Sequence, residues 1–492
     1  MERSIAAGRR PSGTPGRLLD ALAPAVAGRG TAVLGSLAVA GVLLVVYVLS
    51  HPERPNLYDH FVWQASAWLE GQAAIRYPVP ATATSPGNAY FQDVMPLADA
   101  NGLPMGRALI PFPPLPAVIL LPFVAIWGLA TNAQLIGAVI GALDVGLAWW
   151  IVGRLAVRPS TRFSAIVFLG LGTALWYAAA VGTTWFLAHV VAVGLTLLAI
   201  GVALGADPAA VAAGSGGNVA ATTVRPDAPA DLGERRETLL DPRGVLAGLL
   251  LGLAATARLT VVLGLPFLLL VGAGRGRLRR AASAAVGAAL PVLGLLAYDL
   301  ATTGHPFSPV YDYLYHLEAL GYPELGYHPE WSIEDVRYIP QNLTLMLFRG
   351  PDVLPACNPP AIARGLFDAA CPWFRPSPLG MSLLLTSPGY LLALPALSGL
   401  LRRRPSRLVV GAAVAVTAIA VVNLMHFSQG WVQFGYRFSL DLAPFALLLV
   451  ALGLERLRRA ERLAVDALVV VLLGASVAVN AWGIIWGSIL GW

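Results

Sequence analysis

Apolar runs of membrane length recur along the whole chain, separated by short stretches rich in Arg, Pro and Gly. The first, from about Thr31 to Ser50, is roughly 20 residues long, enough for a helix to cross a hydrocarbon core of about 30 Å. Further runs follow at about 134–153, 163–180, 186–204, 243–257, 259–274, 281–300, 380–400, 408–426, 439–455 and 463–486. The pattern predicts an all-α integral membrane bundle of about eleven transmembrane helices. The Pro-rich run Phe112 to Leu129 is read differently, as an interfacial or re-entrant helix, because of where the charges fall. If it spanned, Arg154, Arg158 and Arg162 would lie on the opposite face from the other basic loops.

Charge fixes the orientation. All 33 basic residues are Arg, a bias that fits a GC-rich coding genome, so the net charge of +6 gives no reason to expect nucleic-acid binding. The Arg residues cluster at the leader 1–30, at Arg154 to Arg162, at Arg275 to Arg280, at Arg402 to Arg407 and at Arg456 to Arg462. By the positive-inside rule these segments are cytoplasmic, as is the N-terminus, and Trp492 is outside. All seven His residues then fall on the outer side.

Composition divides the chain further. With 57% hydrophobic and 12% charged residues, it is not a soluble globule. Residues 1–30 form a flexible basic leader, and 31–492 a single membrane domain. Its outer loops are 51–133 and 301–379, both with helices expected to lie at the lipid headgroups. The cytoplasmic stretch 206–243, rich in Ala, Gly and Pro with Glu234, Arg235, Arg236 and Glu237, is expected to be disordered. Both cysteines, Cys357 and Cys371, share the second outer loop, where an oxidising exterior favours a disulfide between them.

Several stretches stand in a telling order: YDHFVWQASAWLEG, FPPLPAVILLPFVAIWG, WYAAAVGTTWFLAHVVAV, GLAATARLTVVLGLPF, LLLTSPGYLLALPAL and GWVQFGYRFSLDLAPF. Together they resemble bacterial GT-C glycosyltransferases over nearly the whole membrane part. The resemblance implies a bundle that transfers a sugar from a polyprenyl-phosphate carrier to a lipid or glycan acceptor on the extracytoplasmic face of the inner membrane. It also implies that the catalytic carboxylate is Asp59, soon after the first span.

The chemistry of such a transfer can be read onto the residues. An inverting reaction needs a carboxylate to take the acceptor proton, and cationic groups to meet the charge that grows on the leaving phosphate. Arg258, His189 and Arg437 sit at outer ends of predicted spans and are the candidates for the phosphate. Asp93 and Asp99 are secondary acids for the acceptor or a divalent ion, and His60 could orient the catalytic acid. Each has a plainer reading. Asp59 could cap the helix that begins near His60; His60 is expected to be exposed; Arg437 could pair with Asp441 one turn later; His189 could close a hydrogen bond inside the bundle; and Asp144, mid-span, is expected to pack inside it.

No acidic pair adjoins Asp59, and no Cys/His cluster or phosphate-binding Gly loop occurs. A required metal or cofactor is therefore not expected, and the expected partners are membrane lipids, the lipid-linked donor and the acceptor. The alternatives are a transporter or flippase of a lipid-linked glycan, or a non-catalytic envelope assembly protein. A transporter would show paired broken helices or internal symmetry, whereas an enzyme would depend on an outer carboxylate.

Overall fold

The computed structural model describes residues 29–52, 58–81, 93–215, 240–272, 276–321, 327–354, 357, 364–428, 430, 432–459 and 462–491. Residues 1–28 of the basic leader, the part of the 206–243 loop holding Glu234 to Glu237, and Trp492 lie outside these residues. The first half of the chain forms α1 (Arg29–Ser50), α2 (His60–Leu69), the strands β1 (Ile75–Arg76), β2 (Met95–Ala98) and β3 (Pro104–Leu109), then α3 (Leu115–Trp127), α4 (Ala133–Val152), α5 (Pro159–Leu171), α6 (Ala174–Val181), α7 (Thr184–Ala206) and α8 (Pro208–Ser215). The second half adds α9 (Pro242–Ala255), α10 (Leu265–Leu270), α11 (Arg277–Thr303), α12 (Pro309–Gly321), α13 (Ile339–Phe348), α14 (Leu383–Thr386), α15 (Leu394–Leu397), α16 (Arg407–Met425), α17 (Ser439–Arg458) and α18 (Leu463–Leu490).

The chain is a multi-pass helical membrane protein, but the tally of about eleven full spans needs revision. Among the described residues six helices are long and apolar enough to cross a bilayer: α1, α4, α7, α11, α16 and α18. The bent pair α5 and α6, with 49° between them, makes a seventh if counted as one span. The other expected spans are short or interrupted. Helix α9 has 14 residues. Pro266 and Pro395 start new helical pieces after 3-10 turns, at 259–264 and 388–393, because proline has no N–H to continue the ladder of the piece before it. Helix α17 is 20 residues long but carries Asp441, Glu455, Arg456 and Arg458. Its stretch from Ser439 to Glu455 is buried throughout, so it forms the centre of the bundle, with α7 against it.

Helix α3 has 13 residues, about 20 Å at 1.5 Å per residue, and so falls short of a span. Small residues let other helices meet closely: a Cβ on Gly248 of α9 would overlap the Ala284 carbonyl of α11, and one on Gly287 the Val245 carbonyl. Helix association of this kind, backbone against backbone, is how membrane bundles gain packing without a hydrophobic drive between helices.

Two loop features go beyond the all-helical expectation. The first loop holds a small antiparallel sheet of order β1, β3, β2, with Ile75 opposite Ala108 and Met95 opposite Leu109. The second loop is tied by the Cys357–Cys371 disulfide, which closes a separation of 14 residues with 5.4 Å between the Cα atoms. The start of the stretch 206–243, expected to be disordered, is ordered instead. Asp207 is buried and caps α8 through Ala210 N, while Arg280 and Arg407 approach its carboxylate at 3.8 and 3.3 Å. Burial of an acid is tolerable here because two cations face it.

Candidate functional site

A cavity of about 580 Å³ opens among the loop after α1, the start of α7, the junction after α9, the C-terminal half of α11 and the segment 426–438. Its walls differ in character. Val292, Leu295 and Leu296 make an apolar side on α11, whose other face exposes Leu290, Leu293 and Leu300 by 68, 61 and 53%. Further along the same helix Asp299 also lines the cavity, and the remaining walls carry Asp93, His189, Arg258, Glu334, His426 and Arg437.

The start of α7 holds the first loop in place. The Thr184 hydroxyl donates to the Tyr58 carbonyl at 2.8 Å and accepts from His60 N at 3.2 Å. With its one proton so placed, its 3.0 Å contact with His60 Nδ1 requires that nitrogen to be the donor. His60 is fully buried, contrary to the expectation of exposure, and stacks among Trp63, Phe112 and Trp185. One residue along, Trp185 Nε1 donates to Asp93 Oδ2 at 3.0 Å and its ring lies against Tyr58. Asp93 has a left-handed backbone, φ +62°, a conformation that Asp adopts more readily than most residues but still at some cost.

Asp59 occupies the N-cap position of α2, yet its side chain makes no capping hydrogen bond. It is 3% exposed and is not among the residues that line the cavity, although Tyr58 and Phe61 on either side of it are. Asp99 has a different task. Its Oδ1 accepts from Asn101 N and Leu103 N at 2.9 and 2.8 Å, which fixes the turn between β2 and β3 away from the cavity.

The inner wall is built on Asp441, near the start of α17 and fully buried. Arg258 reaches it with two hydrogen bonds, Nε to Oδ1 at 3.2 Å and a terminal nitrogen to Oδ2 at 3.0 Å. Thr260 donates to Oδ2 at 2.8 Å, Asn423 to the same oxygen at 3.4 Å, and His189 Nδ1 meets Oδ1 at 2.8 Å. Because Arg258 follows the last turn of α9 with an extended backbone, φ −143°, its side chain crosses to α17 rather than following its own helix.

Of the two readings the sequence offered for Arg437, the ion pair with Asp441 is not formed. Asp441 is taken by Arg258 and His189, and Arg437, four residues before it, is left otherwise engaged. Arg437 is 8% exposed, its guanidinium lies 5.5 Å from the rings of Phe186 and Phe438, and its Nε has no hydrogen-bond partner. No carboxylate among the described residues forms an ion pair with it. Burial, and then Arg258, pull its pKa down to about 10, so it stays cationic at neutral pH. Arg258, Arg437 and Asp441 together leave the inner wall one positive charge in excess.

The hub residue Asp441 and its partners Thr260 and Asn423 were not singled out as a site from sequence. A signal existed, since an acid inside an apolar helix is expensive and generally functional or paired. Asp144, the other mid-span acid, is buried against Gly194, where a Cβ would overlap its carboxylate, and it does not reach the cavity. Among the described residues no group of three or more His, Cys, Asp or Glu is placed to hold a metal ion.

No protein-family model matches the chain, and no curated protein matches it. Two solved structures resemble it. One is the apo crystal structure of the Archaeoglobus fulgidus oligosaccharyltransferase, with a TM-score of 0.45 and 14% identity over 92% of this chain and 56% of that one. The other is the Archaeoglobus fulgidus oligosaccharyltransferase AglB in complex with an inhibitory peptide and a dolichol-phosphate, with a TM-score of 0.45 and 13% identity over 91% of this chain and 55% of that one. The chain thus spans about half the length of either.

Proposed function

We propose that this chain is an inverting glycosyltransferase of GT-C type that moves a sugar from a polyprenyl-phosphate donor to a lipid or glycan acceptor. The observation that carries the reading is Arg437: a buried, cationic guanidinium with no carboxylate in ion-pair contact and no hydrogen-bond partner for its Nε, on the wall of a cavity that has carboxylates elsewhere on its lining and an apolar side on α11. Keeping such a charge largely away from water, with Asp93 acting on it only through space, costs free energy. An anionic ligand would offset that cost, and a phosphate suits a guanidinium well.

In the reaction, an acceptor hydroxyl attacks the anomeric carbon from the side opposite the lipid phosphate. The bond between that carbon and the phosphate oxygen breaks, its electron pair leaves with the phosphate, and the hydroxyl proton passes to a carboxylate. Of the carboxylates on the cavity lining, Asp93 is the one held by Trp185. Arg437 and the positive excess around Asp441 meet the charge that develops on the leaving group. Asp59 is the second reading for the base, supported by the resemblance and by a buried carboxylate that occupies a cap position without capping. The N-terminus is cytoplasmic and the cavity extracytoplasmic, in a bacterial inner membrane.

Purified protein with radiolabelled polyprenyl-phosphate hexoses and pentoses should release free polyprenyl phosphate and label an acceptor. If no donor is consumed while a lipid-linked glycan crosses vesicles that hold the protein, the flippase reading replaces this one.

A further inference from the structure

His189 has a ring nitrogen whose chemistry the inner wall decides. Its Nδ1 lies 2.8 Å from Asp441 Oδ1, and both side chains are fully buried. Asp441 is a carboxylate held ionised by two hydrogen bonds from Arg258, and an ionised carboxylate only accepts. The proton of that contact therefore belongs to Nδ1. Protonating Nε2 as well would place a third cation beside Arg258 and Arg437 with one carboxylate between them, a charge set that a buried site does not support. His189 is thus neutral, with an Nε2 lone pair.

That nitrogen is buried, has no hydrogen-bond partner, and belongs to a residue on the cavity wall. A lone pair repels the oxygens of an ionised phosphate and accepts from a hydroxyl. Nor is it free to turn round, since Asp441 holds the far side of the ring.

We infer that His189 is a specificity-determining residue that reads a hydroxyl of the transferred sugar and not the donor phosphate. This rests on the proposal that the cavity takes a lipid phosphosugar. It reverses the expectation that groups His189 with the arginines, and it divides the inner wall by chemistry: Arg437 for the anion, His189 for a sugar hydroxyl. A sugar that lacks the matching hydroxyl leaves Nε2 buried without a partner, the type of loss that makes polar sites selective.

Two substitutions separate the nitrogens. His189→Asn places an amide N–H where Nδ1 stands and so keeps the bond to Asp441, but it removes the acceptor at Nε2. His189→Gln reaches further and can present its carbonyl oxygen near the Nε2 position. Binding to the purified protein would be measured for undecaprenyl phosphate and for the same lipid carrying glucose, mannose or arabinose. For the wild type, at least one phosphosugar should bind more tightly than the bare lipid phosphate. His189→Asn should lose about tenfold for that phosphosugar, as expected when one buried hydrogen bond worth about 1.4 kcal/mol is removed. Its affinity for undecaprenyl phosphate should stay within about twofold, and His189→Gln should recover part of the loss.

A series of monodeoxy sugars on the wild-type protein needs no variant. One position should show the same tenfold loss, and His189→Asn should be indifferent to it. Equal weakening of the bare lipid phosphate and the phosphosugar by His189→Asn would make His189 a phosphate ligand and overturn the inference, as would a wild type that gains nothing from any sugar. If the wild type binds neither the bare lipid phosphate nor any phosphosugar, the proposed function falls, and this inference with it.

Discussion

Arg258 and Asp441 are 183 residues apart in sequence and joined by two near-parallel hydrogen bonds across the centre of the bundle. The pair pins the extended turn after α9 to the start of α17, so it shapes the cavity as well as charging it. Removing one partner of a buried pair leaves the other uncompensated, at a cost of about 3–5 kcal/mol. Arg258→Ala should therefore lower the thermal midpoint of the detergent-solubilised protein clearly, although Thr260 and His189 remain on Asp441 and hold the loss to the low end. An unchanged midpoint would mean that the pair is not structural.

Arg437 should behave in the opposite way. Because burying it without an ion-pair partner is unfavourable, Arg437→Ala should leave the thermal midpoint unchanged or raise it. Affinity for undecaprenyl phosphate should fall about 10- to 100-fold, the range for one or two charge-assisted hydrogen bonds. A variant that binds the lipid phosphate normally would leave the proposed anion site without its main residue.

Asp93→Asn keeps an oxygen for Trp185 Nε1 but cannot take a proton. Turnover should fall about 10²- to 10⁴-fold with donor binding retained. Asp59→Asn, assayed alongside, decides between the two acids: the larger loss marks the base, and two variants of full activity would exclude both.

Gly430 is a remote handle on the same site. Its φ is +87°, and an added Cβ would stand 2.8 Å from the Gln433 amide and 2.9 Å from the Arg437 guanidinium carbon. Gly430→Ala should cost about 1–2 kcal/mol in backbone strain and weaken lipid-phosphate binding by displacing Arg437. Normal binding would show that the guanidinium can move without loss.

The disulfide closes a loop of about 15 residues, for which the chain-entropy model gives about 3 kcal/mol. Cys357→Ser should loosen the second outer loop, detectable as faster proteolysis between residues 357 and 371, while the helical bundle keeps its thermal midpoint. A large drop in that midpoint would show that the loop is coupled to the bundle.

What sequence revealed follows from the range of each interaction. Spans α1, α4, α7, α11, α16 and α18 are visible because one helix on its own must satisfy its backbone in lipid, which leaves a continuous apolar run. The short pieces around Pro266 and Pro395 were read as spans because their composition is equally apolar, and only the break in the backbone separates them. The two-residue strand β1 has no room for an alternating pattern. His60 next to a water-facing loop suggested exposure, whereas its aromatic neighbours come from three separate segments. Arg437 and Asp441, one helical turn apart, suggested a local pair. The actual partners of Asp441 come from α7, from the turn after α9 and from α16, contacts that no local spacing encodes.

Helix α11 shows one face to the cavity and the other to the surroundings of the bundle. A ligand with a long hydrocarbon tail can therefore keep its head among Arg437 and His189 while its tail leaves sideways past Val292 and Leu295. For such a ligand the relevant concentration is its mole fraction in the membrane or micelle, and its molarity in the buffer has no bearing. Adding inert detergent at a fixed amount of donor should lower the initial rate in proportion, and donor affinities reported per litre would differ between preparations of the same protein.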